Sequence, residues 1–112
     1  MQRGEIYSAR MRQTTGGARD RPRPVLIIQN DVGNELCQTI IVAGITSKAS
    51  TRKYPVNVSI PDGLLPKTAV VRLNQILTVD RSQLGRKMAS LSVDTMAEVD
   101  EALRVSLGLS RL

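Results

Sequence analysis

The sequence contains no histidine, and this absence narrows the chemistry open to the protein. Histidine is the usual general acid–base group and the commonest metal ligand in proteins. The ten carboxylates are scattered, and the pairs considered for metal-binding spacing are Asp94 with Glu98 and Asp100 with Glu101. Both pairs fall on an expected helix, where a solvated helix face explains them. We therefore expect no metal and no cofactor, and chemistry based on arginine, hydroxyl and amide groups.

Cysteine and long apolar runs are almost missing as well. The single cysteine, Cys37, cannot form an internal disulfide and fits a reducing cytoplasm. With no histidine to activate it, we expect Cys37 to be a small buried apolar residue rather than a nucleophile. No run of 18 apolar residues exists, and the charged start of the chain does not resemble a secretion signal. We expect a cytoplasmic protein with no membrane partner.

Aromatic residues are limited to Tyr7 and Tyr54. Many proteins that bind single-stranded nucleic acids stack the bases on several aromatic rings. Stacking therefore cannot supply most of the affinity here, and a nucleic acid would have to be bound by charge and amide groups. We expect both tyrosines in the core or in an interface.

Positive charge is what the sequence has in excess, with sixteen basic and ten acidic residues and a formal charge of +6. Five arginines lie within fourteen positions and are opposed only by Asp20; they are Arg10, Arg12, Arg19, Arg21 and Arg23. A localised positive field is typical of proteins that bind polyanions, most often nucleic acids. From composition alone, a nucleic-acid surface and a solvated cationic loop are about equally favoured.

The apolar pattern predicts five or six short strands and one C-terminal helix. The strands are expected at residues 5–11, 23–30, 38–46, 54–60, 68–79 and 87–91. Residues 30–35 are expected to form a turn, Gly44 to mark a bulge or a close backbone approach, and residues 80–83 to form a capping box. This pattern in 112 residues predicts one domain, residues 1–112, folded as a small, mostly antiparallel β-barrel with a helix packed on it.

The helix is expected at about residues 93–107, with Ser92 as its N-cap. Its apolar stripe should consist of Val93, Met96, Val99, Leu103 and Leu107, with Ala102 beside it.

The run from Arg23 to Asn30 is the most informative stretch, because its four consecutive apolar residues predict a strand buried on both faces. Pro24 cannot donate a ladder hydrogen bond and belongs at the start of that strand. Arg23 precedes a proline, which favours an extended backbone. Its guanidinium should therefore be held where a loop enters the core.

Five segments of the chain resemble the MazF/PemK family of toxin endoribonucleases. They are residues 3–7 (RGEIY), 23–30 (RPVLIIQN), 40–47 (IIVAGITS), 70–80 (VVRLNQILTVD) and 96–109 (MAEVDEALRVSLGL). The resemblance implies an SH3-like barrel of the CcdB/PemK-like toxin fold with a C-terminal helix, and a homodimer. It also implies sequence-specific, metal-independent cleavage of single-stranded RNA. The implied protein partner is a MazE-like antitoxin whose acidic C-terminal tail occupies the RNA groove.

In that family the arginine of the RP motif and the threonine that ends the IT(S/A) strand form the active pair. They correspond to Arg23 and Thr46. In such a reaction the 2′-hydroxyl of the RNA attacks the adjacent phosphate and leaves a 2′,3′-cyclic phosphate and a 5′-hydroxyl. A guanidinium is permanently charged and can bind two phosphate oxygens at once, so it suits this task.

Seven further residues are expected to contact RNA: Asp20, Arg21, Ser47, Lys48, Arg72, Asn74 and Gln75. For the last four, a solvated surface or a dimer contact is an equally good explanation. The chain departs from the family where many members carry a glutamate upstream of the RP motif. Ala18 falls near that place, and Asp20 is the only nearby carboxylate.

Two other functions remain open at this point. One is a non-enzymatic, CcdB-like poison of DNA gyrase with the same fold, and the other is a nucleic-acid-binding barrel without activity. The pair Arg23 and Thr46 favours cleavage, because a gyrase poison has no use for it.

Overall fold

The computed structural model describes residues 1–10, 21–47 and 54–111. Within them the chain forms six strands, two α-helices and a 3₁₀ turn at Arg81–Gln83. In chain order the elements are β1 (Glu5–Arg10), β2 (Pro22–Ile27), α1 (Asp31–Leu36), β3 (Thr39–Thr46), β4 (Asn57–Ser59), β5 (Val70–Asp80), β6 (Leu84–Ser90) and α2 (Val93–Ser106). No described helix is both long and apolar enough to cross a membrane.

The six strands form one antiparallel sheet in the order β4-β5-β3-β2-β1-β6. The predicted class, mostly β with a C-terminal helix, is confirmed. The sheet is open rather than closed into a barrel, because no hydrogen-bonded pair among the described residues joins β4 to β6. With only three residues, β4 is a short edge, and a cavity lies between the loop that follows it and β6.

Strand β2 is buried on both faces, as its apolar run predicts. Val25, Leu26 and Ile27 are each at most 1% exposed. Leu26 belongs to a core cluster that includes α2, whereas its two neighbours belong to a second cluster. Alternate side chains of a strand point to opposite faces, so β2 holds the two clusters together. Burial in both clusters holds in place the strand that carries Arg23.

Helix α2 begins after Ser92, whose hydroxyl accepts a hydrogen bond from the Thr95 amide at 3.2 Å, so the predicted N-cap is confirmed. Val99 is fully buried, but Val93 is 86% exposed and Leu107 59% exposed. The expected stripe is therefore wrong at both ends. Val93 is the first helical residue and Leu107 is already the C-cap, and neither side chain is buried against the sheet.

Arg3 fastens the start of the chain to this helix. Its Nη2 lies 2.7 Å from Asp100 Oδ1, and its Nε donates to the Ile28 carbonyl at 2.8 Å. The helix is joined to β5 by the hydroxyl of Ser106, which donates to the Leu73 carbonyl at 2.7 Å.

Three local predictions between residues 30 and 60 are wrong. The expected turn at 30–35 forms α1, because the Asn30 side chain accepts from the Gly33 amide at 2.8 Å and caps a helix. Cys37, at the end of α1, is exposed rather than buried. The strand expected at residues 54–60 is limited to β4, and Tyr54 lies outside it, since Pro55 cannot donate to a ladder.

The predicted capping box at residues 80–83 is confirmed. The Asp80 carboxylate accepts from the Ser82 amide at 2.9 Å, and the Asp80 amide donates to Gln83 Oε1 at 2.8 Å. The Ser82 hydroxyl, the Ser82 amide and the Gln38 amide group together lower the pKa of Asp80 below its usual value.

Candidate active site and nucleic-acid groove

The start of β2 and the end of β3 bring two of the predicted site residues together. Val25 pairs with Gly44 in this ladder, and Leu26 with Ala43. Continuing the antiparallel register by two residues places Arg23 opposite Thr46, on the same face of the sheet. Arg23 is exposed and Thr46 is half-buried, so both side chains can reach a ligand at this edge.

A groove of about 850 Å³ opens at this point, and we call it the main groove. Its walls come from the segment before and within β2, the end of β3, the loop before β5, β5 itself and β6. The lining residues are Arg21, Pro22, Arg23, Pro24, Ile45, Thr46, Ser47, Leu65, Pro66, Lys67, Ala69, Arg72, Gln75 and Met88.

The main groove is cationic. Its described lining contains Arg21, Arg23, Lys67 and Arg72 and no carboxylate. The ion pairs formed within the described residues involve other cations, so these four side chains keep their charge available for a ligand. A concave surface lined by charge of one sign concentrates ligands of the opposite sign. The groove is therefore suited to a polyanion.

A wide bulge in β5 shapes one wall of the main groove. Ala43 pairs with Ile76, but the next residue of β3, Gly44, pairs with Arg72. Residues 73–75 consequently have no partners in β3, and the expected bulge at Gly44 is confirmed.

The glycine at this bulge makes room for Gln75. A Cβ atom on Gly44 would lie 3.1 Å from Gln75 Oε1, closer than ordinary contact. Gln75 is exposed and lines the groove. Asn74 is exposed on the same bulge but is not part of the lining.

The structure brings six of the predicted site residues to the main groove: Arg21, Arg23, Thr46, Ser47, Arg72 and Gln75. Asn74 lies next to the groove, and the predicted contacts Asp20 and Lys48 fall outside the described residues. Sequence reasoning missed Lys67. It follows Pro66 in the loop before β5, where nothing in the sequence distinguishes a groove cation from a solvated one.

The donor set of the groove suits phosphate rather than a metal ion. Among the described residues no three cysteine or carboxylate side chains come close enough together to hold a metal. Guanidinium groups bind phosphate oxygens through paired, charge-assisted hydrogen bonds, and a hydroxyl can donate to the same oxygens. An RNA phosphodiester placed between Arg23 and Thr46 would meet both kinds of donor at once.

Residues 2–107 match the model of a protein family described as PemK-like, MazF-like toxin of type II toxin-antitoxin system. This match agrees with the resemblance seen in the five segments of the sequence.

Several solved structures are similar to this chain over nearly its whole length. An endoribonuclease in complex with its cognate antitoxin, from a mycobacterial species, is 25% identical, with 100% of this chain and 99% of that chain covered and a TM-score of 0.80. The Mycobacterium tuberculosis toxin MazF-mt6 is 25% identical, with 96% and 99% covered and a TM-score of 0.79. A MazE-MazF complex from Deinococcus radiodurans is 26% identical, with 98% and 97% covered and a TM-score of 0.74.

Proposed function

Because this chain belongs to the family of PemK-like, MazF-like toxins of type II toxin–antitoxin systems, we propose that it is a sequence-specific endoribonuclease that cleaves single-stranded RNA. One observation carries the proposal. Arg23 and Thr46, which the family resemblance singles out as an active pair, lie across adjacent strands at a cationic groove. Cleavage of messenger RNA would stop translation, which is how such a toxin arrests growth.

The proposed reaction uses a nucleophile that the substrate already contains. The 2′-oxygen forms a bond to phosphorus, the bond from phosphorus to the 5′-oxygen breaks, and the 5′-oxygen leaves as a hydroxyl. The proton lost by the 2′-hydroxyl passes to a base, and another proton is delivered to the leaving oxygen. The products are a 2′,3′-cyclic phosphate and a 5′-hydroxyl.

The protein's part in this reaction is to align the attack and to stabilise negative charge on the phosphorus oxygens. Arg23 donates two hydrogen bonds from a charge that is already in place, and Thr46 donates from the opposite strand. Donors held in position before the reaction need no reorganisation, and losing one typically lowers the rate about 10²- to 10³-fold. No metal is required, since a guanidinium supplies the positive charge.

The proposed protein partners follow from the same groove. An antitoxin with an acidic C-terminal tail would compete with RNA for the four groove cations. Antitoxin-bound relatives, such as the Deinococcus radiodurans MazE-MazF complex, support such a partner. We also propose that the protein is a homodimer acting in the cytoplasm. Light scattering on the purified protein would report a mass near twice 12.2 kDa if this is correct.

The deciding experiment is incubation of the purified protein with a long single-stranded RNA in EDTA. We expect discrete fragments that end in cyclic phosphate and begin with a 5′-hydroxyl. The variants Arg23→Ala and Thr46→Ala should lose this cleavage, with thermal unfolding nearly unchanged. Arg104→Ala removes the same charge from the exposed surface of α2, away from the groove, and should cleave like the wild type.

Intact RNA after incubation with wild-type protein would overturn the proposal. If the protein then trapped gyrase in a covalent complex with DNA, the CcdB-like alternative would be correct. A large loss of thermal stability in either groove variant would instead mean that Arg23 or Thr46 is structural.

A further inference from the structure

A second cavity, of about 490 Å³, adjoins the main groove where the sheet is open. It lies between loop residues 63–66 and the outer strand β6, and we call it the edge pocket. It shares three lining residues with the main groove: Leu65, Pro66 and Met88. The two cavities are therefore neighbours across one apolar wall.

The edge pocket is also basic. Arg86 and Lys87 line it, and no carboxylate belongs to the part of its lining that the structure describes. Lys87 is already occupied, because its Nζ lies 2.8 Å from Glu5 Oε2. Arg86 is exposed and forms no ion pair within the described part of the chain. Arg86 is thus the cation of this pocket that remains free for a ligand.

The backbone of β6 adds further donors and acceptors. Among the described residues, this strand is the last in the sheet and pairs only with β1. An edge strand presents unpaired N–H and C=O groups on its outer side. These groups can bind the sugar hydroxyls or phosphate oxygens of an extended nucleic acid, which needs both donors and acceptors.

We propose that single-stranded RNA runs from the main groove over the shared apolar wall into the edge pocket, where Arg86 binds a phosphate of a nucleotide flanking the cleavage site. The proposal rests on the proposed ribonuclease function. One free cation beside an apolar wall matches the alternation of phosphate and base along an RNA strand. An acidic peptide would need several free cations, which the main groove has and the edge pocket does not.

The test uses RNA substrates of graded length. Cleavage sites are first mapped in a long transcript, and oligoribonucleotides are then made around one site. The shortest one cleaved is extended by one to three nucleotides on its 5′ side or on its 3′ side. We expect extension on one side to raise kcat/KM of the wild type by about two- to fivefold, because the added phosphate gains one partly exposed ion pair and such a pair contributes about that factor.

Arg86→Gln should lose this gain, so that the extended and the shortest substrates are cleaved with equal kcat/KM. For the extended substrate, the slope of the logarithm of the binding constant against the logarithm of the salt concentration should also be shallower in Arg86→Gln than in the wild type. The expected difference is about 0.7, the value for one phosphate contact on a single strand. The matched control is Arg104→Gln, which removes the same charge outside both cavities and should keep the gain. Arg86→Glu should make the extended substrate the poorer one.

Either of two results would overturn the proposal. One is that extension on neither side of the site raises kcat/KM of the wild type, and the other is that Arg86→Gln retains the full gain. Retention of the gain, together with weaker binding of a poly-glutamate peptide to Arg86→Gln, would assign the pocket to an acidic peptide instead. A wild-type protein that cuts no RNA would refute the proposed function alone. Fluorescence anisotropy with mixed-sequence oligoribonucleotides of graded length would then still show whether a longer RNA binds more tightly through Arg86.

Discussion

The contact between Gly44 and Gln75 gives the sharpest test of how the fold shapes the main groove. In the variant Gly44→Ala, the new Cβ would lie 3.1 Å from Gln75 Oε1 and 3.5 Å from Gln75 Cβ, whereas ordinary contact begins at 3.4 Å. Gly44 does not have a positive φ angle, so alanine causes no backbone strain there. The close atom is the end of a flexible side chain, which can move.

The variant should therefore fold normally but displace Gln75 from its place in the groove. Replacing glycine with alanine at a compatible site stabilises by about 0.4–1 kcal/mol, which offsets the cost of moving one side chain. A misplacement of about 1 Å at an active site can cost about 100-fold in rate. For a shift of part of that distance we expect roughly a tenfold loss in kcat/KM, with the midpoint of urea unfolding unchanged within error.

A double-mutant cycle shows whether the loss passes through Gln75. Gln75→Ala removes the displaced side chain, so Gly44→Ala should cost nothing further in that background. The value of kcat/KM on one RNA oligonucleotide is measured for the wild type, the two single variants and the double variant, and the four values give the coupling energy between Gly44 and Gln75. Additive losses, or wild-type activity in Gly44→Ala, would show that the glycine does not act by making room for Gln75.

Three further outcomes are expected. Arg23→Lys should lower kcat/KM for RNA at least tenfold, because an ammonium cannot bind two phosphate oxygens in the fork geometry; full activity would make that geometry dispensable. Arg3→Ala should lower the free energy of unfolding by about 1–2 kcal/mol, through its lost hydrogen bonds, whereas Arg104→Ala should cost under about 0.5 kcal/mol in urea titrations. Asp80 has a lowered pKa in the folded protein, so its stabilisation is present above its ordinary pKa and lost as the pH falls through the folded value. The unfolding free energies of wild type and Asp80→Asn should therefore differ at neutral pH and converge below about pH 4.

The buried strands were predictable from the sequence because their signals are local. The run from Val25 to Ile27 has no polar residue that could face water, so burial on both faces follows from composition alone. The RP motif lies at the start of β2 and the IT motif at the end of β3, and continuing the register of the ladder between these strands by two residues places Arg23 opposite Thr46. The N-cap at Ser92 is also local, because a short hydroxyl side chain bonds the amide three residues on.

The features that were not predicted depend on contacts distant in sequence. Whether a six-stranded sheet closes depends on how its two edges meet, and β4 is too short to complete it. Cys37 is exposed because α1 ends at the surface, which its apolar character does not reveal. Lys67 and Arg86 look like ordinary solvated cations until the loop before β5 and strand β6 are placed side by side.

The open edge of the sheet has a consequence for self-association. A strand with unpaired backbone groups invites another copy to add its own strand, which is how fibrils and insoluble aggregates begin. On β6, the exposed Arg86 places positive charge along this edge, whereas the charge of Lys87 is paired with Glu5. Two copies aligned there would bring their Arg86 side chains together and repel each other. The same arginine that we assign to RNA also keeps the molecules apart, so a protein lacking it should be less soluble at high concentration and low salt.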